Sequence, residues 1–171
     1  MLKLSRILAT LLVLFTFNSR SQINDDYKIP KKSLVDLIDV DLAPSVIRDS
    51  ENKIMIFLYR SAYKSIEDLS RKEMRLGGLR VDPDRHIGSR TNYYNRVKIA
   101  KLDEGKTAKE ISGLPSKINL SNFQFSPDES KIAMTNTTEN GVEVWVLNLL
   151  DLNAKKIFKE NANATMGNVI K

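Results

Sequence analysis

Phe125-Ser126-Pro127-Asp128-Glu129-Ser130-Lys131-Ile132-Ala133-Met134-Thr135, followed by Gly141-Val142-Glu143-Val144-Trp145-Val146, is the stretch that decides the fold. Its apolar residues recur every second position: Ile132 and Met134 in one run, Val142, Val144 and Val146 in the next. A period of two is the signature of strands with one face buried. Pro127 presets the backbone for a tight turn, and Asp128 can fold its carboxylate back onto that turn. Trp145 offers a large packing surface on the second run.

Working outward, Phe123 and Phe125 precede this stretch and Ile157 follows it, so four short strands are marked. The turns between them are read at residues 126–130, 136–141 and 151–154. Four strands joined by hairpin-length loops within about 40 residues make a unit the size of one propeller blade. The small Ala133 suits the crowded inner part of such a blade. An earlier copy supports this reading. Ser126–Met134 laid on Arg48–Ile56 matches Glu129 with Glu51, Lys131 with Lys53 and Ile132 with Ile54. In that copy a polar cluster, residues 48–53, precedes Ile54-Met55-Ile56-Phe57-Leu58-Tyr59, a run suited to a sheet buried on both faces. Its next strand begins only near Tyr93, and repeat architectures tolerate such insertions. Inside the insertion the sequence predicts a helix over 65–76, with Ser65 as cap, Asp68 as capping-box acid and Gly77-Gly78 as the stop. Residues 81–92 read as loop. A strand over 93–102, a turn at 103–106 and a short strand over 108–111 complete the copy. Blade-like units are therefore expected at about 44–111 and 116–160, within an incomplete β-propeller over 44–171.

Upstream, residues 22–43 form a lead-in. It is polar around Lys28, Pro30, Lys31 and Lys32. A short helix follows, capped by Ser33, with Leu34, Leu37 and Ile38 on one face and Pro44 as its limit. Residues 1–21 read as a secretory signal peptide: Lys3 and Arg6, then an apolar run from Ile7 to Phe17, then Ser19-Arg20-Ser21. That run is shorter than the roughly 20 residues a membrane span needs. The expected location is periplasmic or extracellular, with no stable membrane anchor after cleavage.

Composition narrows the chemistry. Among 171 residues there is no cysteine and one histidine, His86, which excludes disulfides, thiolate metal sites and thiol nucleophiles. Losing Lys3, Arg6 and Arg20 with the signal turns 27 Lys plus Arg against 21 Asp plus Glu into 24 against 21, so the net +6 becomes +3. That is an ordinary surface, and no nucleic-acid partner is implied. The acidic pairs Asp25/Asp26, Asp39/Asp41 and Asp82/Asp84 lack calcium-loop spacing and read as solvated loop acids. Sequons stand at Asn119, Asn136 and Asn163. Tyr93-Tyr94 with Arg90 and Arg96 could stack a ligand, although strand core with an arginine rim is the simpler reading. Gly77-Gly78 fits no phosphate-binding loop.

The stretch quoted first resembles the SPDGKxIAFT…GxxLWV repeat of propeller domains in exported binding proteins and prolyl oligopeptidase-like serine peptidases, with Glu129 or Ser130 where glycine is common. A narrower resemblance runs through Tyr27–Pro30, Leu34–Leu37, Pro44–Val46, Met74–Pro83, Ser89–Tyr94, Ile111–Pro115 and Asn163–Asn168. In that order these segments are similar to the N-terminal region of the glutamyl endopeptidase-like branch of that family. The resemblance implies an N-terminal propeller followed by an α/β-hydrolase domain with a Ser-Asp-His triad. No G-x-S-x-G occurs here, and His86 sits in a loop without a partner serine. No catalytic, cofactor-binding or metal residue can be assigned, and no cofactor is expected. The expected function is a non-catalytic propeller fragment of an exported serine peptidase. Peptides would be substrates only in the full-length enzyme, and a complementary hydrolase fragment is the candidate partner. The alternative is a free-standing exported β-rich binding or interaction protein.

Overall fold

A computed structural model describes residues 29–40, 42–105 and 107–170. The expected signal peptide and Asp25/Asp26 lie outside the described residues. The chain divides into two units, one ending at Ile38 and the other running from Asp39. Of the first, the structure describes helix α1, Lys32–Ile38, whose residues are all exposed. Ser33 lies inside this helix rather than capping it. The Lys31 carbonyl accepts from the Leu34 and Val35 N–H groups at 2.8 and 3.2 Å, so the helix starts two residues earlier than its polar pattern suggests.

The second unit is mainly β, in three antiparallel sheets, none of which closes. Strands β1 (Ser45–Arg48), β2 (Ile54–Tyr59), β6 (Arg96–Lys101) and β7 (Lys109–Glu110) pair in that order. Strands β8 (Leu120–Phe125), β9 (Lys131–Thr138), β10 (Gly141–Asn148) and β11 (Asn153–Lys156) form a second four-stranded sheet of consecutive neighbours. The segment between β2 and β6 holds the short helix α2 (Ile66–Ser70) and a small sheet. That sheet is made of β3 (Met74–Leu76), β4 (Leu79–Asp82) and β5 (Ile87–Gly88).

Four expectations need correction. The helix over 65–76 stops at Ser70. Ser65 does cap it, accepting from the Asp68 N–H at 3.1 Å while its hydroxyl donates to the Asp68 carboxylate at 2.7 Å. One turn carries too little cooperativity to run further. Met74 and Leu76 instead pair with Val81 and Leu79 across Gly77-Gly78. Both glycines have positive φ, 52° and 89°, as a two-residue hairpin turn demands. The insertion is therefore more sheet than helix, and part of the expected 81–92 loop is strand. In the second sheet, the expected turn at 136–141 shrinks to Glu139-Asn140, because Thr137 and Thr138 continue β9 opposite Val142 and Gly141. Asn153 and Ala154, read as turn, begin β11.

The repeat is shifted by one residue. In the β1–β2 turn, Asp49 N–H donates to the Ile54 carbonyl and Asn52 N–H to the Asp49 carbonyl. In the β8–β9 turn, Ser126 N–H donates to the Lys131 carbonyl and Glu129 N–H to the Ser126 carbonyl. Asp49 Oδ1 also accepts from Ile54 N–H at 2.9 Å, as Ser126 Oγ does from Lys131 N–H at 3.0 Å. Asn52 and Glu129 share a left-handed φ of 58° and 53°. Asn52, not Glu51, is thus the counterpart of Glu129. A one-residue shift exchanges the two faces of a strand. Ile56 and Leu58 now correspond to Ala133 and Thr135, while Ile132 and Met134 correspond to Met55 and Phe57.

That exchange explains the core. Ile56, Leu58, Val97 and Ile99 share one face of the first sheet, and Ile132, Met134 and Leu147 share one face of the second. All seven are at most 4% exposed and belong to one cluster. The sheets bury non-equivalent faces against each other, so they stack the same way up, front to back. Glu129 ties the two equivalent turns together, accepting from Ser50 N–H at 2.9 Å and Ser50 Oγ at 2.8 Å.

Ile132→Ala is expected to cost about 2–5 kcal/mol, whereas Leu150→Ala, at a residue 85% exposed, should stay within about 0.5 kcal/mol. Urea unfolding with unchanged slope checks both. At Glu129, the Ala variant keeps the left-handed strain and loses the Ser50 contacts, while the Gly variant loses only the contacts. Glu129→Gly should therefore be more stable than Glu129→Ala by about 1 kcal/mol, and equal midpoints would refute the strain.

Candidate functional site

The insertion between β2 and β6 lines a cavity of about 880 Å³. Three local features build its walls. Asp82, at the end of β4, is buried and accepts from Asp84 N–H at 3.0 Å and Arg85 N–H at 3.1 Å, an Asx turn that drives Arg85 inward. Arg85 is only 3% exposed. Its Nη2 donates to Glu139 Oε1 at 2.6 Å, and Arg71 Nη2 pairs with the other oxygen of the same carboxylate. Glu139 belongs to the β9–β10 turn, so the second sheet anchors the insertion of the first. Bound by Arg71 first and Arg85 next, the Glu139 carboxyl is held below its ordinary pKa despite some burial, and Glu139 in turn raises Arg71.

Glu73, which immediately precedes β3, is the second node. It accepts from Ser89 Oγ at 2.7 Å, Arg80 Nη1 at 2.9 Å and Arg75 Nε at 3.0 Å. The Ser89 hydroxyl and then Arg75 bring its pKa down to about 2, and the Arg80 charge adds to this. Tyr93 packs with Ile87, Val142 and Ala164, and burial raises its phenol. The lining thus combines cationic Arg60, Lys64, Arg71, Arg75, Arg85 and Arg90 with carboxylates Asp68, Glu73 and Asp82. Chemically this arrangement can bind and orient an anion.

The structure separates most residues grouped by sequence. His86 is exposed, with φ 55°, and among the described residues its carbonyl accepts from Ala164 N–H at 2.8 Å. Tyr93 and Arg90 reach the cavity, but Tyr94 packs edge-on against Phe123 with ring centroids 5.9 Å apart. Arg96 covers Tyr59, 4.4 Å from its ring centroid. Asp82 is a buried turn cap rather than a solvated loop acid, whereas Asp84 is exposed. Of the pair Asp39/Asp41, Asp41 lies outside the described residues, as does Lys28 of the lysine cluster. Lys32 faces Asp36 at 3.5 Å. Among the sequons, Asn136 is 1% exposed and donates to Glu143, and Asn119 is half-buried. Asn163 alone of the three is exposed. Among the described residues no group of three His, Cys, Asp or Glu side chains could hold a metal, and no helix is long and apolar enough to cross a membrane. Arg71, Arg85, Glu73 and Glu139 were not singled out by sequence reasoning. Their only signal was the arginine density of 71–90, which periodicity does not weigh.

The depressed Glu73 carboxyl makes stability depend on acid. Its folded pKa, about 2, lies below the ordinary 4.5. Its contribution is therefore complete above pH 4.5 and is lost as pH falls toward about 2. Melting temperatures across that window should fall less steeply in Glu73→Gln than in the native chain. Ser89→Ala should raise the Glu73 pKa in a carboxyl carbon NMR titration; an unmoved midpoint would remove Ser89 as its main partner.

No family model and no solved structure matches the chain. Two curated proteins do. The chain is 25% identical over 142 residues to a probable chloroplastic glutamyl endopeptidase of Oryza sativa subsp. japonica, covering 78% of this chain and 15% of that protein. To the Arabidopsis thaliana protein of the same description it is 28% identical over 144 residues, covering 80% of this chain and again 15% of the relative. The chain spans about 15% of the length of the curated relatives it matches, and the similarity supports a relation to peptidases.

Proposed function

We propose that this chain is a non-catalytic part of an exported, peptidase-related protein, and that its two four-stranded sheets are successive blades of a β-propeller. In the complete protein the propeller would limit access of peptides to a catalytic cleft carried by another part. The observation that carries the reading is the front-to-back stacking of two equivalent sheets. A same-way-up stack repeats its interface, so each added sheet finds the face it needs until a ring closes. The similarity to plant glutamyl endopeptidases supplies the peptidase relation. Export rests on the sequence pattern of residues 1–21.

A front-to-back stack of two leaves the far face of the first sheet unmatched. Val46 is 46% exposed and Phe57 half-buried on the face of the first sheet that corresponds to the buried Met134 and Ile132 face of the second. Such faces invite further stacking. The chain without residues 1–21 is expected to self-associate with rising concentration in sedimentation, and to leave glutamyl peptides uncleaved. A strictly monomeric, cooperatively melting chain would favour a free-standing binding protein. An antibody against residues 150–160 in source cells provides the second check. A band far above 19.4 kDa agrees with the fragment reading, and a band at or below that mass with no co-purifying hydrolase fragment opposes it.

A further inference from the structure

We propose that the β3–β4 hairpin of the insertion is a lipid-contacting tip, which docks this chain reversibly on the surface of a bilayer rich in anionic phospholipid. The inference stands on the hairpin itself and does not depend on the peptidase relation. Met74 pairs with Val81 and Leu76 with Leu79 across the ladder, and directly opposed residues share a face. One face of the hairpin is therefore wholly apolar. Exposure rises along it toward the tip, from 6% at Val81 through 40% at Met74 and 43% at Leu79 to 57% at Leu76. Val81 fixes the base while the leucines stand out. Gly77 and Gly78 turn the chain between them, and a Cβ built at either would meet no atom within 4 Å. The tip thus projects clear of the other described residues.

Charge selects the occupant. Residues 60–95 hold eight Lys plus Arg against five Asp plus Glu, a net of +3, which equals the net charge of the whole chain without residues 1–21. The positive surplus is thus concentrated in the segment that carries the apolar tip, and Glu139, reaching in from the second sheet, offsets only one unit of it. Arg75 and Arg80 oppose each other on the other face of the hairpin, one residue behind the leucines. Arg75 gives Nε and Arg80 gives Nη1 to Glu73, which leaves most of each guanidinium for a headgroup phosphate. Lys72, two residues before β3, is exposed and makes no ion pair among the described residues. Apolar side chains at the tip with cations set behind them is the pattern of an interfacial anchor: the leucines reach the acyl boundary and the cations stay with the phosphates. A protein partner fits less well. Three side chains already half covered fall well short of the roughly 800 Å² per partner that a stable interface buries. A bilayer needs neither that area nor a matching shape.

The chain has no cysteine, so Leu76→Cys and Leu150→Cys each create one position for an environment-sensitive fluorophore. The test is titration of the labelled full chain with vesicles of phosphatidylglycerol and, separately, of phosphatidylcholine. Residues 1–21 are common to every variant, so differences between variants report the hairpin. The Leu76 label should shift to the blue and be quenched by nitroxide-bearing lipid, while the label at Leu150, on the β10–β11 turn, should do neither. Partition into phosphatidylglycerol should exceed that into phosphatidylcholine by at least about tenfold and weaken in about 0.5 M salt. In the Leu76-labelled chain, Lys72→Gln should weaken partition about fivefold, and Leu79→Ser several-fold, with melting temperatures unchanged because both side chains are exposed. An unmoved Leu76 label, equal shifts at both labels, or equal partition into the two lipids would overturn the proposal. So would a Leu76 shift that grows with protein concentration before vesicles are added, which assigns the face to a second copy of the chain.

Discussion

The packing of Ile56, Leu58, Val97 and Ile99 against Ile132, Met134 and Leu147 is the contact on which the rest of the second unit depends. Neither sheet could be stable alone, since a four-stranded meander with two apolar faces exposes as much as it buries. Each of these side chains contributes about 1.5–3 kcal/mol by leaving water. Smaller ties then fix the alignment. Tyr94 exchanges backbone hydrogen bonds with Leu120 at 2.8 and 2.9 Å, and Ser112 does so with Leu152 and Ala154, both at 2.9 Å. At Gly113 a side chain would collide with the Ala154 carbonyl, which fixes how closely the segment after β7 lies on β11.

On this frame the charged layer is secondary in energy but decisive in position. Glu139 stands on the tightest turn of the second sheet and receives two arginines from the insertion of the first. The pair with Arg85 is partly buried. The Glu139 side chain keeps 58% of its exposure, so water softens the cost of desolvating it. A similar arrangement stabilises Glu143, where burial alone would raise the carboxyl but Lys156, Trp145 and Asn136 together leave it lowered. Polar side chains here set orientation, and the apolar seam supplies the driving force.

How much of this was legible in the sequence follows from which signals are local. The alternation in 123–157 and the turn at Ser126-Pro127-Asp128 are local, and they located the second sheet with its strand order. The repeat was visible but misread by one residue. Ile54 and Ile132 look alike, and in a stack both faces of a sheet are apolar, so residue type does not say which face is which. Only the turn hydrogen bonds of Asp49 and Ser126 do. The expected helix through Leu76 failed because Gly77-Gly78 serves as helix stop and hairpin turn alike, and the partner strand Leu79–Asp82 decides between them. Of the cavity only Arg90 and Tyr93 were legible. Its walls come almost wholly from residues 60–95, but the salt bridge that holds them, between positions 85 and 139, leaves no periodic trace.

The segment from Arg60 to Asn95 interrupts what would otherwise be a tight hairpin between β2 and β6, yet the two strands keep an unbroken six-pair register from Ile54–Lys101 to Tyr59–Arg96. Chain statistics explain how. The entropy of closing a loop rises only with the logarithm of its length, about 0.6 kcal/mol for each doubling, so a short connection can grow to this size for roughly 2 kcal/mol. Two or three buried methylenes beneath Ile56, at about 0.8 kcal/mol each, offset that amount. The hairpin is therefore a permissive place for added material, where a pocket with its own chemistry can be lengthened, shortened or rebuilt while the sheet beneath it keeps its register.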